Sequence, residues 1–155
     1  MNMNRPDNDE YFMEMAHLIA KRSTCLRRRV GAVIVKDKRV LSTGYNGFPY
    51  GCSDDEFPWD RDGDDTKYKY VVHAELNAIL NARGKSLTGA KLYVDLFPCN
   101  ECTKALIQSG VGEVIYYSDK YHNTDSTTAS RRMFDAAGIK YHKYEPINKL
   151  ITLPL

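Results

Sequence analysis

Long apolar runs are absent from this sequence. The longest clear aliphatic stretch, Val30–Val35, falls far short of the roughly 18 residues that a membrane helix needs, so no membrane partner is expected. The start, Met1–Asp9, is polar and lacks the apolar centre of a secretory leader, and Leu153, Pro154 and Leu155 offer no cysteine for lipidation. A cytoplasmic protein is the expectation. An excess of one charge is also missing: 22 Lys and Arg against 20 Asp and Glu leave a net charge of +2. A bulk field that weak does not recruit nucleic acid. Internal repeats and low-complexity tracts are lacking. Cysteines are few, at positions 25, 52, 99 and 102. In a chain without a secretory signal, the close Cys99-x-x-Cys102 pair points to metal or redox chemistry rather than to a disulfide framework.

What is present is ordinary for a folded domain. The 155 residues are 43% hydrophobic and 27% charged, which disfavours disorder and predicts a single domain over 1–155. Helix spacing covers Asp9–Arg22, with Phe12, Met15, Ala16 and Ile19 on one face and Asp7 or Asn8 as cap. Val30–Lys36 and Arg39–Tyr45 are β-rich, and Asp37-Lys38 between them suits a hairpin turn. Residues 46–70 break the pattern with Gly47, Pro49, Gly51, Pro58 and Gly63 among seven carboxylates. An irregular stretch this long inside a compact domain carries function or is a solvated acidic loop. Helices are then predicted over His73–Ala82 (Leu76, Ile79 and Leu80 inward), Cys99–Ser109 (opened by Pro98) and Ser126–Ala137 (ended by Gly138). Strands are predicted over Lys91–Leu96, Glu113–Tyr117 and Ile139–Tyr144. The order αββαβαβαβ predicts an α/β fold whose five-stranded sheet is mixed, with a parallel run and an antiparallel hairpin at one edge.

Two segments carry chemistry: His73-Ala74-Glu75 and Pro98-Cys99-Asn100-Glu101-Cys102. Cysteines at i and i+3 present both sulfurs on one face of a first helical turn. The free N–H groups there favour thiolate, the form that binds zinc. His73 adds an imidazole. Three protein ligands rather than four mark a catalytic zinc, which keeps a position for water. Glu75, two residues after His73, is placed to move that water's proton without binding the metal. Taken singly, a Cys-x-x-Cys has a redox pair as its rival reading, and a His-x-Glu occurs by chance. Together, H-x-E followed by P-C-x-x-C is the signature of zinc-dependent deaminases.

With these motifs the chain resembles the deoxycytidylate deaminases of the cytidine deaminase-like superfamily. The resemblance spans about Glu10 to Tyr144, and further stretches carry it: Arg22–Cys25, Val30–Val35, Gly44–Gly47, Gly51–Asp55, His73–Ile79, Leu96–Cys102 and Ser118–His122. It implies a three-layer α/β/α sandwich and hydrolysis of dCMP to dUMP, the precursor of dTMP. His73, Cys99 and Cys102 would hold one zinc. Hydroxide on that zinc would attack C4 of the cytosine while Glu75 shuttles protons to N3 and the departing amine. Asn46, Arg27, Ala74, Tyr121 and Lys120 are the implied substrate contacts, and Arg27 is the first choice for the 5′-phosphate. Asn46 has a second reading as the left-handed residue of an Asn-Gly turn; Tyr121, Arg28 and Arg29 have a second reading as solvated surface. The resemblance also implies dCTP activation and dTTP inhibition in a homohexamer. The effector site would lie around Tyr45, Gly47, Asp54 and Asp55, where the acidic loop would help hold magnesium carried by the triphosphate. Ser53–Val72 contains no histidine and no cysteine, so no second zinc is expected, and Cys25 and Cys52 are expected as free thiols, buried or partly buried. Two alternatives stay open: a deaminase of dCTP or cytidine, and an inactive zinc-bound regulator for which Glu75 would be dispensable.

Overall fold

The computed structural model describes residues 5–155; Met1–Asn4, at the head of the polar start, lies outside the described residues. Helix α1 (Asn8–Ala20) begins where Asp7 accepts a hydrogen bond from the Glu10 N–H, the capping interaction its sequence predicts. Strands β1 (Gly31–Lys36) and β2 (Arg39–Tyr45) form an antiparallel hairpin. Asp37 and Lys38 both take positive φ (52° and 63°), the turn whose twist matches that of its strands. Then come α2 (Ala74–Asn81), β3 (Lys91–Leu96), α3 (Asn100–Gln108), β4 (Glu113–Ser118), α4 (Asp125–Ala137) and β5 (Lys140–Lys143).

The sheet runs β2-β1-β3-β4-β5. β1 pairs antiparallel with both β2 and β3, and β3, β4 and β5 pair in parallel. The mixed sheet is therefore the expected one, with the antiparallel hairpin at one edge and β2 as its outer strand. β1 is inserted between β2 and β3, so the α2 connection steps across it. Alternation along the strands divides the core. Val33, Val35, Tyr93 and Ile115 pack with Phe12, Met13 and Ala16 of α1. Ala32, Ile34, Leu92, Val94 and Val114 face the other way, against Ala74 and Ala78 of α2, Leu106 of α3 and Phe134 of α4. The result is three layers: α1, the sheet, and α2–α4.

Close approach of helix and sheet rests on two glycines. A β-carbon on Gly31 would collide with the Ala16 carbonyl and the Ala20 nitrogen of α1, and one on Gly44 with the Ala74 carbonyl and the Ala78 nitrogen of α2. The predicted elements all form, Arg39–Tyr45 and Lys91–Leu96 with the predicted ends and the others with ends shifted by one or two residues. His73 and Cys99 are not first helical residues but N-caps of α2 and α3. Pro98 accordingly precedes the cap rather than opening the helix. Leu80, predicted inward, is 61% exposed; small Ala74 and Ala78 occupy the contact with β2 because Gly44 brings the backbones together.

Residues 46–73 contain only a short 3-10 turn, Lys67–Lys69, and an isolated bridge between Gly47 and Val72. The segment is nevertheless ordered by its own contacts. Phe48 stacks near Phe57 and Trp59, Phe57 meets Tyr70, and the Trp59 indole donates to the Asp54 carbonyl. It is an acidic exterior on a small aromatic cluster. No helix among the described residues is long and apolar enough to cross a membrane.

Candidate active site

The ends of two helices meet on the α2–α4 side of the sheet. α2 begins after the bridge at Val72, and α3 begins where β3 leaves the sheet through Phe97 and Pro98. Their caps, His73 and Cys99, are thereby brought together, and Cys102 follows one turn into α3. The His73 Nδ1 lies 3.4 Å from the Cys99 Sγ and 3.4 Å from the Cys102 Sγ. All three candidate ligand atoms fall within 4.8 Å of one another. This spacing tests the fit of zinc: with Zn–S near 2.3 Å and Zn–N near 2.0–2.1 Å, a tetrahedral centre puts nitrogen and sulfur about 3.6 Å apart. The observed edges and the soft donor set agree with that metal. The two thiols do not share charge equally. The neighbouring Cys102 thiol, with His73 alongside, holds Cys99 well below the usual thiol range, and the Cys102 backbone N–H donates to the Cys99 Sγ at 3.5 Å. Cys102 is pushed up by the neighbouring Cys99 and by burial. A group with one thiolate already favoured next to an imidazole is poised to bind a cation.

Glu75 is buried, only 4% exposed, in the first turn of α2. Burial raises its carboxyl to about 7. A carboxyl that changes protonation near neutral pH suits a proton carrier.

The same corner opens into a cavity of about 580 Å³, ample for a small metabolite. His73, Glu75 and Cys99 line it. Of the predicted substrate contacts, Arg27, Asn46, Ala74, Lys120 and Tyr121 all line it too. Ala74 opens α2, where its N–H has no acceptor within the helix. Lys120 stands 5.0 Å over the Tyr121 ring.

Asn46 departs from one of its two readings. It is not among the residues with positive φ, so it is no left-handed turn residue. Its buried side chain instead fastens the α1–β1 connection: Oδ1 accepts from the Val30 N–H and Nδ2 donates to the Arg28 carbonyl, both at 2.9 Å. The predicted effector residues lie outside this cavity. Tyr45 ends β2 with the Arg22 guanidinium 5.9 Å over its ring, Gly47 bridges to Val72, and Asp54 and Asp55 are exposed on the irregular segment.

Several lining residues were not singled out in the sequence: Arg61, Lys67 and Tyr68, together with Ser126 and Thr127 at the start of α4. The signal was masked in the first three by the seven carboxylates around them. Arg28 lines the cavity beside Arg27, so it is not merely solvated surface. Cys25 is buried and Cys52 partly buried, both as free thiols. Burial pushes the Cys25 thiol up, but the backbone N–H groups of Arg28 and Arg27 and the Lys67 ammonium, 3.5 Å from Sγ, outweigh it and bring the thiol down.

Comparison with known proteins agrees with this chemistry. Residues 6–118 match the model of the cytidine and deoxycytidylate deaminase zinc-binding region. The chain is 51% identical over 141 residues to a deoxycytidylate deaminase of Homo sapiens, covering 88% of this chain and 79% of that one. It is 36% identical over 156 residues to ComE operon protein 2 of Bacillus subtilis, covering 97% and 78%. Among solved structures it is similar to a dCMP deaminase from the cyanophage S-TIM5, crystallised with dCMP and dUMP. That likeness has a TM-score of 0.72 at 31% identity over 90% of this chain and 98% of that one. A structure from a study of tRNA:A34 deaminases shares the fold, with a TM-score of 0.58 at 23% identity.

Proposed function

The chain belongs to the cytidine and deoxycytidylate deaminase family, and from that premise we infer that it hydrolyses dCMP to dUMP and ammonia. It is an enzyme with a zinc-binding domain. The observation that carries the reading is the juxtaposition, in one cavity, of a His/Cys/Cys group, a buried carboxyl and a cationic wall.

We assign His73, Cys99 and Cys102 as the zinc ligands and Glu75 as the proton carrier. Zinc held there supplies a Lewis acid that brings the pKa of a water toward neutrality. The rest is done by the chain. Glu75 takes a proton from the attacking water and returns it to N3 of the cytosine. A second proton passes through the same carboxyl to the amino group as the bond to C4 breaks. Burial serves this role, because a carboxyl with a pKa near 7 both accepts and releases protons at physiological pH. Asn46 and the Ala74 backbone border the nucleoside, Tyr121 offers it an aromatic face, and Arg27 and Lys120 answer the 5′-phosphate. Their shared cavity supports this assignment.

The regulatory reading is likewise our proposal: activation by dCTP with magnesium, inhibition by dTTP, and assembly as a homohexamer, with Tyr45, Gly47, Asp54 and Asp55 at the effector site. Its support is that these residues lie outside the substrate cavity, two of them exposed on the acidic segment. Cytoplasmic location is proposed on the four free cysteines. The test is ammonia release from dCMP, CMP, cytidine, dCTP and adenosine, with and without dCTP and magnesium. Turnover of dCMP raised by dCTP is expected. Turnover of dCTP or cytidine in preference to dCMP would overturn the substrate assignment and retain the site chemistry. Zinc-loaded protein releasing no ammonia from any of them would refute the reading.

A further inference from the structure

The cavity wall carries more positive charge than its neighbours neutralise. Arg27 and Arg28 arrive from the α1–β1 connection, Arg61 and Lys67 from the irregular segment, and Lys120 from the β4–α4 connection. Among the described residues, the one carboxylate lining the same space is Glu75, buried beside the His/Cys/Cys group. Among the described residues, none of the five cations forms an ion pair. For Arg61 this is unexpected. It stands between Asp60 and Asp62, in a segment with seven carboxylates, and still turns to the cavity. Its Nε donates instead to the Tyr68 hydroxyl at 3.0 Å. A guanidinium held through Nε keeps its Nη1–Nη2 edge, two N–H groups that match two oxygens of a phosphate. Two of the other cations are engaged differently, while the Arg28 Nε is buried without a partner. Lys67 donates to the Cys25 sulfur, and Lys120 lies over Tyr121.

We propose that Arg61, oriented by Tyr68, is a specificity-determining contact to the substrate's 5′-phosphate, so that the irregular segment itself distinguishes nucleotide from nucleoside. This rests on the dCMP reading above. The neighbouring Asp60 and Asp62 do not replace the ligand. Neither forms an ion pair with the guanidinium, whose outer edge is left for a dianion that brings more charge and better geometry.

The test uses the full, zinc-loaded chain with Arg61→Ala, Arg61→Lys and Tyr68→Phe. Three readouts are taken: dUMP and deoxyuridine affinity by calorimetry, kcat and KM for dCMP, and bound zinc. Losing a hydrogen bond to a charged group predicts that Arg61→Ala weakens dUMP binding and raises KM by at least about tenfold. Deoxyuridine affinity is expected to hold within about twofold, since only phosphate binding is removed. Arg61→Lys restores part of the loss, because it returns the charge without the fork. Tyr68→Phe gives a smaller rise in KM. Unchanged dUMP affinity in Arg61→Ala overturns the inference, as does an equal loss of dUMP and deoxyuridine, which would mark a structural role. Wild-type protein that neither binds dUMP nor turns over dCMP would overturn the deamination reading first, and this inference with it.

Discussion

Removing the Asn46 side chain should loosen one wall of the active site before it touches the chemistry. Its amide holds two backbone groups of the connection that carries Arg27 and Arg28: the Val30 N–H and the Arg28 carbonyl. Ser23 joins from the other side. Its hydroxyl donates to the Asn46 carbonyl at 2.9 Å and accepts from the Cys25 N–H at 3.2 Å. In Asn46→Ala the Val30 N–H is left buried without a partner, and the Arg28 carbonyl, nearer solvent, gains water. Leaving a buried polar group unmet costs about 1–3 kcal/mol, and a rehydrated one much less. A loss of about 2–3 kcal/mol is therefore expected, read from urea denaturation of the zinc-loaded protein. Ser23→Ala should cost a similar amount, about 1–2 kcal/mol, through the Asn46 carbonyl and the Cys25 N–H. Because both side chains fasten one segment, the double variant should lose less than the sum, with a coupling of at least about 0.5 kcal/mol. In the same variants dUMP affinity should fall further than deoxyuridine affinity, since the arginines ride on the loosened connection. An Asn46→Ala variant within about 0.5 kcal/mol of wild type, or strict additivity with Ser23→Ala, would refute the view of Asn46 as a clamp.

Four other expectations follow from the same geometry. Glu75→Gln should retain one zinc per chain by elemental analysis while dCMP turnover falls by about 10²–10⁴-fold, the usual worth of a positioned proton carrier. His73→Ala should lose zinc to a mild chelator and melt at a lower temperature, because metal binding and folding are coupled; a chelator-treated wild type should move the same way. Gly44→Ala should destabilise by about 1–3 kcal/mol in denaturant and weaken zinc retention, since the added methyl meets α2 backbone that cannot yield and displaces the helix capped by His73. His17 gives a pH signature. It lies 2.8 Å from Asp95, whose hydrogen bond raises the imidazole pKa above its usual 6.5 although burial opposes it. The pair's contribution is thus full below about pH 6.5 and fades as pH rises through the higher folded value. The stability difference between wild type and His17→Gln, by urea midpoint, should shrink from pH 6 to pH 9, roughly the window above His17's unfolded pKa.

Legibility in the sequence followed the range of the interactions. The His/Cys/Cys group was readable because Cys99 and Cys102 lie one helical turn apart and His73 and Glu75 fall at the start of one helix, so short stretches of sequence bring each pair near. The hairpin was readable because Asp37 and Lys38 settle it locally. Strand order was not, because the place of β1 between β2 and β3 is set by packing across the sheet. That choice buries Ala32 and Ile34 against three helices and Val33 and Val35 against one. Leu80 departs from the periodic expectation for a related reason: helical periodicity favours the large side chain, but Gly44 admits only the small residues Ala74 and Ala78 at the contact.

The irregular segment shows why composition misleads at a binding rim. Its carboxylates dominate any count, and they suggest a solvated or cation-binding loop. In three dimensions they stand on the outside, where water screens them. The inward positions of the same segment are an aromatic cluster and the three residues Arg61, Lys67 and Tyr68 that reach the cavity. Alternation of this kind has no fixed period in a segment without regular structure, so no pattern in the chain announces it. The two halves of the site are therefore written in different ways. Helix caps fix the reacting end, where tenths of an ångström matter to metal and proton. A stapled loop provides charge at the other end, where a phosphate needs matching donors more than a rigid frame. Such a division predicts that substitutions on the segment change which cytosine compound is bound, whereas substitutions at the caps change whether any compound reacts.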